Sequence, residues 1–222
     1  MILQENETYA AVVKVQPAGQ GNYKITLCHT TTGDIEEWLV HEETVLDYRL
    51  VVGKQLDQST FRALKSAKDG GMAYGYAVGI LKKRMYTEKE MRQKLVFKKV
   101  AQPMIDEVIT KLLDLELLND ERYAQTYIES QIGLGKKSQQ RIIADLRTKG
   151  VAISIIDDQK HLFDKQAEQK LMQHEIEKAY YRYLHKGLSD FEIKNKVMGA
   201  LGRKGFDFYE AKRQYSFFIE DL

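Results

Sequence analysis

The chain has 222 residues, enough for one large domain or two small ones, and a formal net charge of only +2. Hydrophobic residues make up 43% of the sequence and charged residues 30%, a balance that excludes global disorder. No apolar run approaches the roughly 20 residues of a membrane-spanning helix, and the single cysteine, Cys28, excludes an internal disulfide framework and a cysteine-based metal cage. Met1–Asn6 shows no basic leader followed by an apolar stretch, so we expect no secretory signal and a cytoplasmic location.

The first part of the chain is rich in β-branched and aromatic residues. Three short runs predict strands: Tyr9–Val15, Tyr23–Leu27 and Ile35–Val40. Loop-forming residues separate them at 17–22 and 30–34, and a short helix, Glu42–Tyr48, is expected before a turn at Gly53. We therefore predict an antiparallel meander within a small β-rich domain of residues 1–56, which leans on its neighbour because three strands alone are marginally stable.

Helical periodicity begins near Ser59 and is interrupted at Asp69-Gly70-Gly71. Two adjacent glycines favour a flexible backbone, so this tripeptide is expected to break the helix. We predict a helical linker and hinge over residues 57–71, with a domain boundary near its end.

An internal repeat follows the hinge. Three helix-start residues, Thr87, Ser138 and Ser189, are separated by 51 residues each. A leucine stands eight residues after the first two, Leu95 and Leu146, and another, Leu201, stands twelve after the third. We predict three three-helix units, at residues 72–118, 119–165 and 166–222. The predicted fold class is mainly α: an elongated tandem repeat of three three-helix units preceded by a small β-rich domain.

Capping residues support these helix boundaries. Thr87 with Glu90 and Ser189 with Glu192 fit the capping box, in which hydroxyl and carboxylate satisfy each other's backbone amides. Ser138 has Arg141 in place of the acid, so only half of that cap is expected. Gly150 and Gly205 stand where a left-handed residue would end the second helix of their units, whereas Lys99 occupies the equivalent place in the first unit and disfavours that turn.

The sequence shows no catalytic constellation and no metal or cofactor site, so we predict a protein that is not an enzyme. Cys28 and His29 are adjacent on a predicted strand and point to opposite faces, which indicates a small buried thiol and a surface imidazole. The segment Gly133–Ser138 superficially resembles a phosphate loop. It lacks the four-residue gap between glycines and follows a helix, which excludes that motif.

Basic residues recur at the edges of the predicted units. Residues 1–71 have net charge −3, residues 72–150 have +5 and residues 151–222 have 0. The candidate contact residues for DNA phosphate or an acidic protein surface are Lys82, Lys83, Arg84, Lys98, Lys99, Lys136, Lys137, Arg141, Arg147, Lys149, Arg203 and Lys204. The alternative interpretation is a solvated helix surface. Tyr180, Tyr181 and Tyr183 fit either a base-stacking strip or helix packing.

Several motifs in order resemble the RecX regulators of bacterial RecA recombinase over nearly the whole chain. They are the segments Val40–Leu46 and Leu50–Leu56, which resemble the N-terminal extension of the Gram-positive branch, then Thr87–Leu95, Leu118–Ala124, Leu146–Val151 and Arg203–Phe206. Two departures stand out, because Lys99 replaces a usual glycine and Asn119 replaces a common acid.

The resemblance implies a regulator, mainly an inhibitor, that binds RecA filaments on single-stranded DNA and limits their extension and activity in DNA repair and recombination. It implies no catalytic residue and no cofactor. We expect a monomer with no membrane partner, whose contacts with single- or double-stranded DNA are weaker than those with the filament. The alternative function is a stand-alone nucleic-acid-binding helical repeat, whose binding would fall steeply with salt and would not depend on recombinase.

Overall fold

A computed structural model describes residues 8–19 and 21–222. The expectation about a secretory leader rests on Met1–Asn6, and one residue of the expected loop at 17–22 is Gln20; both lie outside the described residues. The strands are β1 (Thr8–Gly19), β2 (Asn22–His29), β3 (Ile35–His41) and β4 (Gln55–Asp57). The helices are α1 (Glu42–Asp47), α2 (Gln58–Leu81), α3 (Glu88–Phe97), α4 (Gln102–Asp114), α5 (Asp120–Leu134), α6 (Gln139–Thr148), α7 (Ile153–Asp158), α8 (Lys165–Leu184), α9 (Asp190–Arg203) and α10 (Phe208–Glu220), with a 3₁₀ turn at Gln159–Leu162. None of these helices is long and apolar enough to cross a membrane.

The N-terminal sheet confirms the predicted meander and adds a strand to it. Strands β1, β2 and β3 pair antiparallel in sequence, and β4 pairs with the outer side of β1 to give the order β3-β2-β1-β4. Alternate residues such as Ile25, Leu27 and Trp38 form the buried face of the sheet. The expected loop at 17–22 is shorter than predicted, because β1 continues through Pro17 to Gly19 with a register shift that accommodates the proline.

Helix α2 runs without interruption for 24 residues, so the predicted break at Asp69-Gly70-Gly71 is wrong. Phe61 and Leu64 in its first half belong to the core beneath the sheet, and its second half packs against α4. The helix persists because both halves are held by tertiary packing, which outweighs about 1 kcal/mol of lost helix propensity for each glycine. A Cβ on Gly70 would lie 2.7 Å from Met104 Sδ of α4, so a larger residue here would require the Met104 side chain to move.

The described chain divides into two compact units. The first contains the described residues up to Arg84 together with Met91–Leu117, and the second contains Met85–Glu90 and Leu118–Leu222. The sheet, α1, α2 and α4 therefore belong to the same compact unit. Within the described residues no strand follows Asp57, which confirms the predicted mainly helical fold. The hydrophobic cores of the second compact unit centre on Ile128, Ile142 and Leu146 and on Ile176, Val197 and Leu201.

Helices α3, α6 and α9 end in the same turn. In each, the amide of the last turn residue donates to the leucine carbonyl five residues before it: Val100 to Leu95 at 3.2 Å, Val151 to Leu146 at 3.1 Å and Phe206 to Leu201 at 3.2 Å. This is the Schellman motif, which needs a left-handed residue before that amide. Lys99 supplies it with φ 60°, Gly150 with φ 91° and Gly205 with φ 85°. The expectation that Lys99 would disfavour this turn is therefore wrong.

Candidate functional site

The start of α3 is bonded to the end of α6 within the second compact unit, in what we call the α3–α6 joint (Thr87–Glu90 with Thr148–Gly150). Thr87 Oγ1 donates to the carbonyl of Lys149 at 2.7 Å and also accepts the amide of Glu90 at 3.1 Å, which caps α3. Lys149 Nζ lies 2.9 Å from Glu90 Oε1. The hydroxyl of Thr87 thus serves its own helix and the facing turn at once, and Thr87 is fully buried.

The start of α6 is bonded to the end of α9 by a second set of contacts of the same kind, the α6–α9 joint (Lys136–Arg141 with Arg203–Gly205). The amide of Ser138 donates to the carbonyl of Lys204 at 3.1 Å. Lys204 Nζ donates to the carbonyl of Lys136 at 3.3 Å and forms an ion pair with Glu175 at 2.8 Å. Helix α6 therefore has a joint at each end.

The two joints require glycine for space as well as for backbone conformation. A Cβ on Gly150 would lie 2.5 Å from Lys89 Cβ, and one on Gly205 would lie 2.6 Å from Arg141 Cβ and 2.8 Å from Ser138 Oγ. Real Cβ atoms do not approach so closely, so a side chain at either position would push the facing helix start away. This close contact gives Gly150 and Gly205 a role that sequence spacing did not reveal.

Acidic side chains from neighbouring helices complete the caps. Asp120 Oδ1 accepts the amide of Glu88 at 2.9 Å, and Glu168 Oε1 accepts the amide of Gln139 at 2.9 Å. Glu168 thus satisfies the first amide of α6, while the amide of Ser138, which a capping-box acid would accept, donates to the carbonyl of Lys204 instead. Burial raises the pKa of Asp120, the amide of Glu88 opposes that effect, and the nearby carboxylates of Glu88 and Glu90 add to it.

Four of the twelve candidate cations are engaged in pairs within the second compact unit: Lys137, Arg141, Lys149 and Lys204. Lys137 Nζ contacts Asp145 Oδ2 at 2.7 Å, and this hydrogen bond raises the pKa of Lys137. The hydrogen bond to Glu90 likewise raises the pKa of Lys149. Burial alone would raise the pKa of Asp145, but the hydrogen bonds from Lys137 and Tyr127 outweigh it and lower that pKa. These lysines are partly buried and bonded to the protein itself.

The other eight candidate cations are exposed: Lys82, Lys83, Arg84, Lys98, Lys99, Lys136, Arg147 and Arg203. The first five lie in the first compact unit, where Lys98 Nζ sits 5.0 Å from the centre of the Tyr76 ring. In the second compact unit, Lys136 and Arg203 lie in the α6–α9 joint and Arg147 directly precedes the α3–α6 joint. Five of the exposed cations therefore belong to the first compact unit and three to the second.

The tyrosines singled out by sequence pack mainly within the protein. Tyr180 and Tyr183 pack against the core formed by α8, α9 and α10, and the ring of Tyr180 contacts that of Phe218 at 5.2 Å. Tyr181 is 40% exposed, whereas Tyr180 and Tyr183 are partly buried. Packing therefore accounts for Tyr180 and Tyr183, as the second interpretation of the sequence proposed.

His29 differs from its expected place at the surface. Its Nε2 lies 2.8 Å from Glu36 Oε1, its side chain is 13% exposed, and its ring packs against Tyr9 and Phe61. The interpretation as a surface imidazole is wrong because β2 turns this residue toward α2. In the described part of the chain no three His, Cys, Asp or Glu side chains are placed to hold a metal ion.

Sequence reasoning missed the partners of the joint lysines, namely Glu90, Lys136 and Glu175. One signal was present in the repeat: aligning Leu95, Leu146 and Leu201 places Lys98, Lys149 and Lys204 at the same position, three residues later. The ion pair repeats at Lys149 and Lys204, whereas Lys98 at the same position is exposed and lies near the Tyr76 ring.

Two family models match the helical part of the chain. Residues 73–112 match the first three-helix domain of RecX, and residues 119–158 match the second three-helix domain of RecX. The first match runs from the last third of α2 through α3 and most of α4, and the second covers α5 to α7.

Relatives and a solved structure agree with these matches. A regulatory protein RecX from Finegoldia magna is 31% identical over 81% of this chain and 83% of its own length. A regulatory protein RecX from Bacillus velezensis is 31% identical over 76% of this chain, and the match spans 64% of the longer Bacillus protein. A crystal structure of a regulatory protein RecX superposes with a TM-score of 0.74 at 26% identity, covering 91% of this chain and 97% of that one.

Proposed function

The chain belongs to the RecX family of regulatory proteins, and on that premise we propose that it binds RecA filaments on single-stranded DNA and limits their extension and activity. In this proposal it acts as a cytoplasmic monomer and carries out no chemistry of its own. The observation that carries the proposal is the succession of RecX three-helix domains over α2 to α7 in a chain whose relatives are RecX proteins.

The distribution of exposed cations supports binding to a repeating partner. Lys98 and Lys99 lie in the first compact unit, and Arg147 and Arg203 lie in the second. A filament presents the same surface on many subunits, so one bound contact raises the effective concentration for the next. Several individually weak contacts then favour the filament over a free subunit, which is the preference an inhibitor of filament growth needs.

A second candidate function is direct binding of nucleic acid. The observation that favours it is the net charge of +5 over residues 72–150, with exposed Lys82, Lys83 and Arg147 within that segment. Such a protein would compete with the recombinase for nucleotides, and its affinity would fall steeply with salt through counterion release.

ATP hydrolysis by RecA on single-stranded DNA distinguishes the two functions. The protein is titrated into preformed filaments at fixed salt, and the titration is repeated with the DNA concentration doubled at constant recombinase. We expect half-inhibition well below the recombinase subunit concentration and little change when DNA is doubled. A half-inhibitory amount that follows nucleotide concentration, with equal binding to bare single strands, would instead establish the nucleic-acid binder.

A matched pair of charge reversals tests which surface makes the contact. Lys98→Glu with Lys99→Glu, and separately Arg147→Glu, are expected to raise the half-inhibitory concentration. The helical circular-dichroism signal should not change, because these side chains are exposed and such substitutions rarely alter stability by more than about 0.5 kcal/mol. Unchanged inhibition in both variants would show that these side chains are solvent-exposed charges that do not contact the filament.

A further inference from the structure

The lysine that follows α9 is bonded to two elements besides its own helix. Lys204 Nζ forms an ion pair with Glu175 Oε1 of α8 at 2.8 Å and donates to the carbonyl of Lys136 before α6 at 3.3 Å. Its own carbonyl accepts the amide of Ser138 at 3.1 Å. One residue thus ties α8, α9 and the start of α6 together.

Because its ion-pair partner Glu175 is buried, breaking the contact of Lys204 costs free energy. The side chain of Glu175 is only 11% exposed, and Lys204 is the cation within ion-pair distance of it among the described residues. A carboxylate buried without its partner costs far more free energy than an exposed one, because it loses water without gaining a replacement. The lysine is therefore bound to the interior by the acid it neutralises.

Lys149 makes the equivalent contacts at the other end of α6. It lies at the same position after the repeated leucine, its ammonium bonds Glu90 at 2.9 Å, and its carbonyl accepts Thr87 Oγ1 at 2.7 Å. Its ammonium also lies 5.6 Å from the centre of the Tyr123 ring. The nearby cations behave differently, because Arg147, two residues before Lys149, and Arg203, directly before Lys204, are exposed.

We propose that Lys204 and Lys149 are positioning residues that lock the α6–α9 and α3–α6 joints. The exposed Arg203 and Arg147 near them are the cations that contact the RecA filament. The assignment of the arginines rests on the proposed function, whereas the locking role of the lysines does not. The joints set how the exposed arginines are presented, so loss of a lock weakens inhibition indirectly.

The test uses the full chain and three variants: Lys204→Met, Lys204→Met with Glu175→Met, and Arg203→Met. The single lysine variant leaves Glu175 unpaired, while the double variant replaces the pair by apolar side chains of similar length, which proteins tolerate well. Two properties are measured for each: the urea midpoint by circular dichroism and the half-inhibitory concentration in the RecA ATPase assay.

We expect Lys204→Met to lower the urea midpoint and to lose inhibition. The double variant should recover both, with a half-inhibitory concentration within about twofold of the unmodified chain, because only geometry needs to be restored. Arg203→Met should keep the midpoint and lose inhibition. A recovered midpoint with inhibition still lost in the double variant would overturn the proposal, since it would show that the ammonium of Lys204 itself meets the partner.

Two further outcomes are decisive. If Lys204→Met fails to fold, recovery of a cooperative transition in the double variant still establishes the lock, and an unfolded double variant overturns it. If the unmodified chain does not inhibit RecA, the proposed function and the assignment of Arg203 both fail. The urea midpoints then decide the locking role of Lys204 by themselves.

Discussion

The turn after α3 and the turn after α9 have the same hydrogen bonds but different surroundings. Lys99 and Gly205 both adopt the left-handed conformation that the Schellman motif requires. Lys99 is exposed, whereas Gly205 is packed so closely against Ser138 and Arg141 that no Cβ would fit. Backbone geometry alone therefore does not explain the glycine. A glycine is needed where a helix start packs on the turn, and a lysine is tolerated where the turn faces solvent.

The largest expected effect comes from filling the packed turn. Gly205→Ala should lower the free energy of unfolding by about 2–5 kcal/mol, combining left-handed strain with overpacking against the start of α6. Gly135→Ala is the matched control, since Gly135 also has positive φ but no atom lies within 4 Å of the place that a Cβ would occupy. The control should cost only about 1–2 kcal/mol. Urea unfolding measures both, and equal losses would show that packing at the joint contributes nothing.

The next effect comes from the buried hydroxyl that joins α3 to α6. Thr87→Val keeps the shape of the side chain but leaves the amide of Glu90 and the carbonyl of Lys149 without their partner. We expect a loss of about 1–3 kcal/mol in the free energy of unfolding. Ser189→Ala removes a cap that serves α9, and it should cost about 1 kcal/mol. A Thr87 variant no worse than the Ser189 variant would contradict the bond across the joint.

A smaller effect of opposite sign is expected at the exposed turn. Lys99→Gly should raise the free energy of unfolding by about 0.5–1 kcal/mol, because glycine adopts φ 60° without the Cβ penalty that lysine bears. Lys99→Ala retains the Cβ and should change stability by less than about 0.5 kcal/mol. Thermal or urea unfolding of the two variants tests this, and destabilisation by glycine would refute the comparison between the turns.

The smallest effect depends on pH. The pKa of Asp120 is raised in the folded state by burial, so its contribution to stability is present below the unfolded pKa and is lost as pH rises through the folded pKa. Asp120→Asn keeps an acceptor for the amide of Glu88 without a buried charge. It should therefore be more stable than the unmodified chain at neutral pH, and the difference should shrink below pH 3.8, the ordinary pKa of this carboxyl. A difference that does not vary with pH would contradict the assignment.

Local signals in the sequence predicted much of the fold. The strands β1 to β3 and the starts of α3, α6 and α9 follow from alternation and from Thr87, Ser138 and Ser189. Strand β4 was missed because three residues carry too little pattern and depend on β1 for pairing. The break predicted at Gly70 fails because tertiary packing on both halves of α2 overrides local propensity.

The candidate site was less predictable than the fold. In the sequence alone, Arg203 and Lys204 are two neighbouring basic residues that nothing local distinguishes. The structure separates them, because Lys204 reaches Glu175 from α8 while Arg203 stays exposed. That distinction depends on a residue 29 positions away in sequence, and only the alignment of Lys98, Lys149 and Lys204 within the repeat pointed toward it.

The most direct test of the joints is hydrogen exchange at the amide of Ser138, read by nuclear magnetic resonance. This amide donates to the carbonyl of Lys204, so its protection reports the α6–α9 joint itself. We predict strong protection in the unmodified chain and its loss in Gly205→Ala, while the amide of Ser189, bonded to Glu192, exchanges equally in both. Rapid exchange of the Ser138 amide in the unmodified chain would contradict the account.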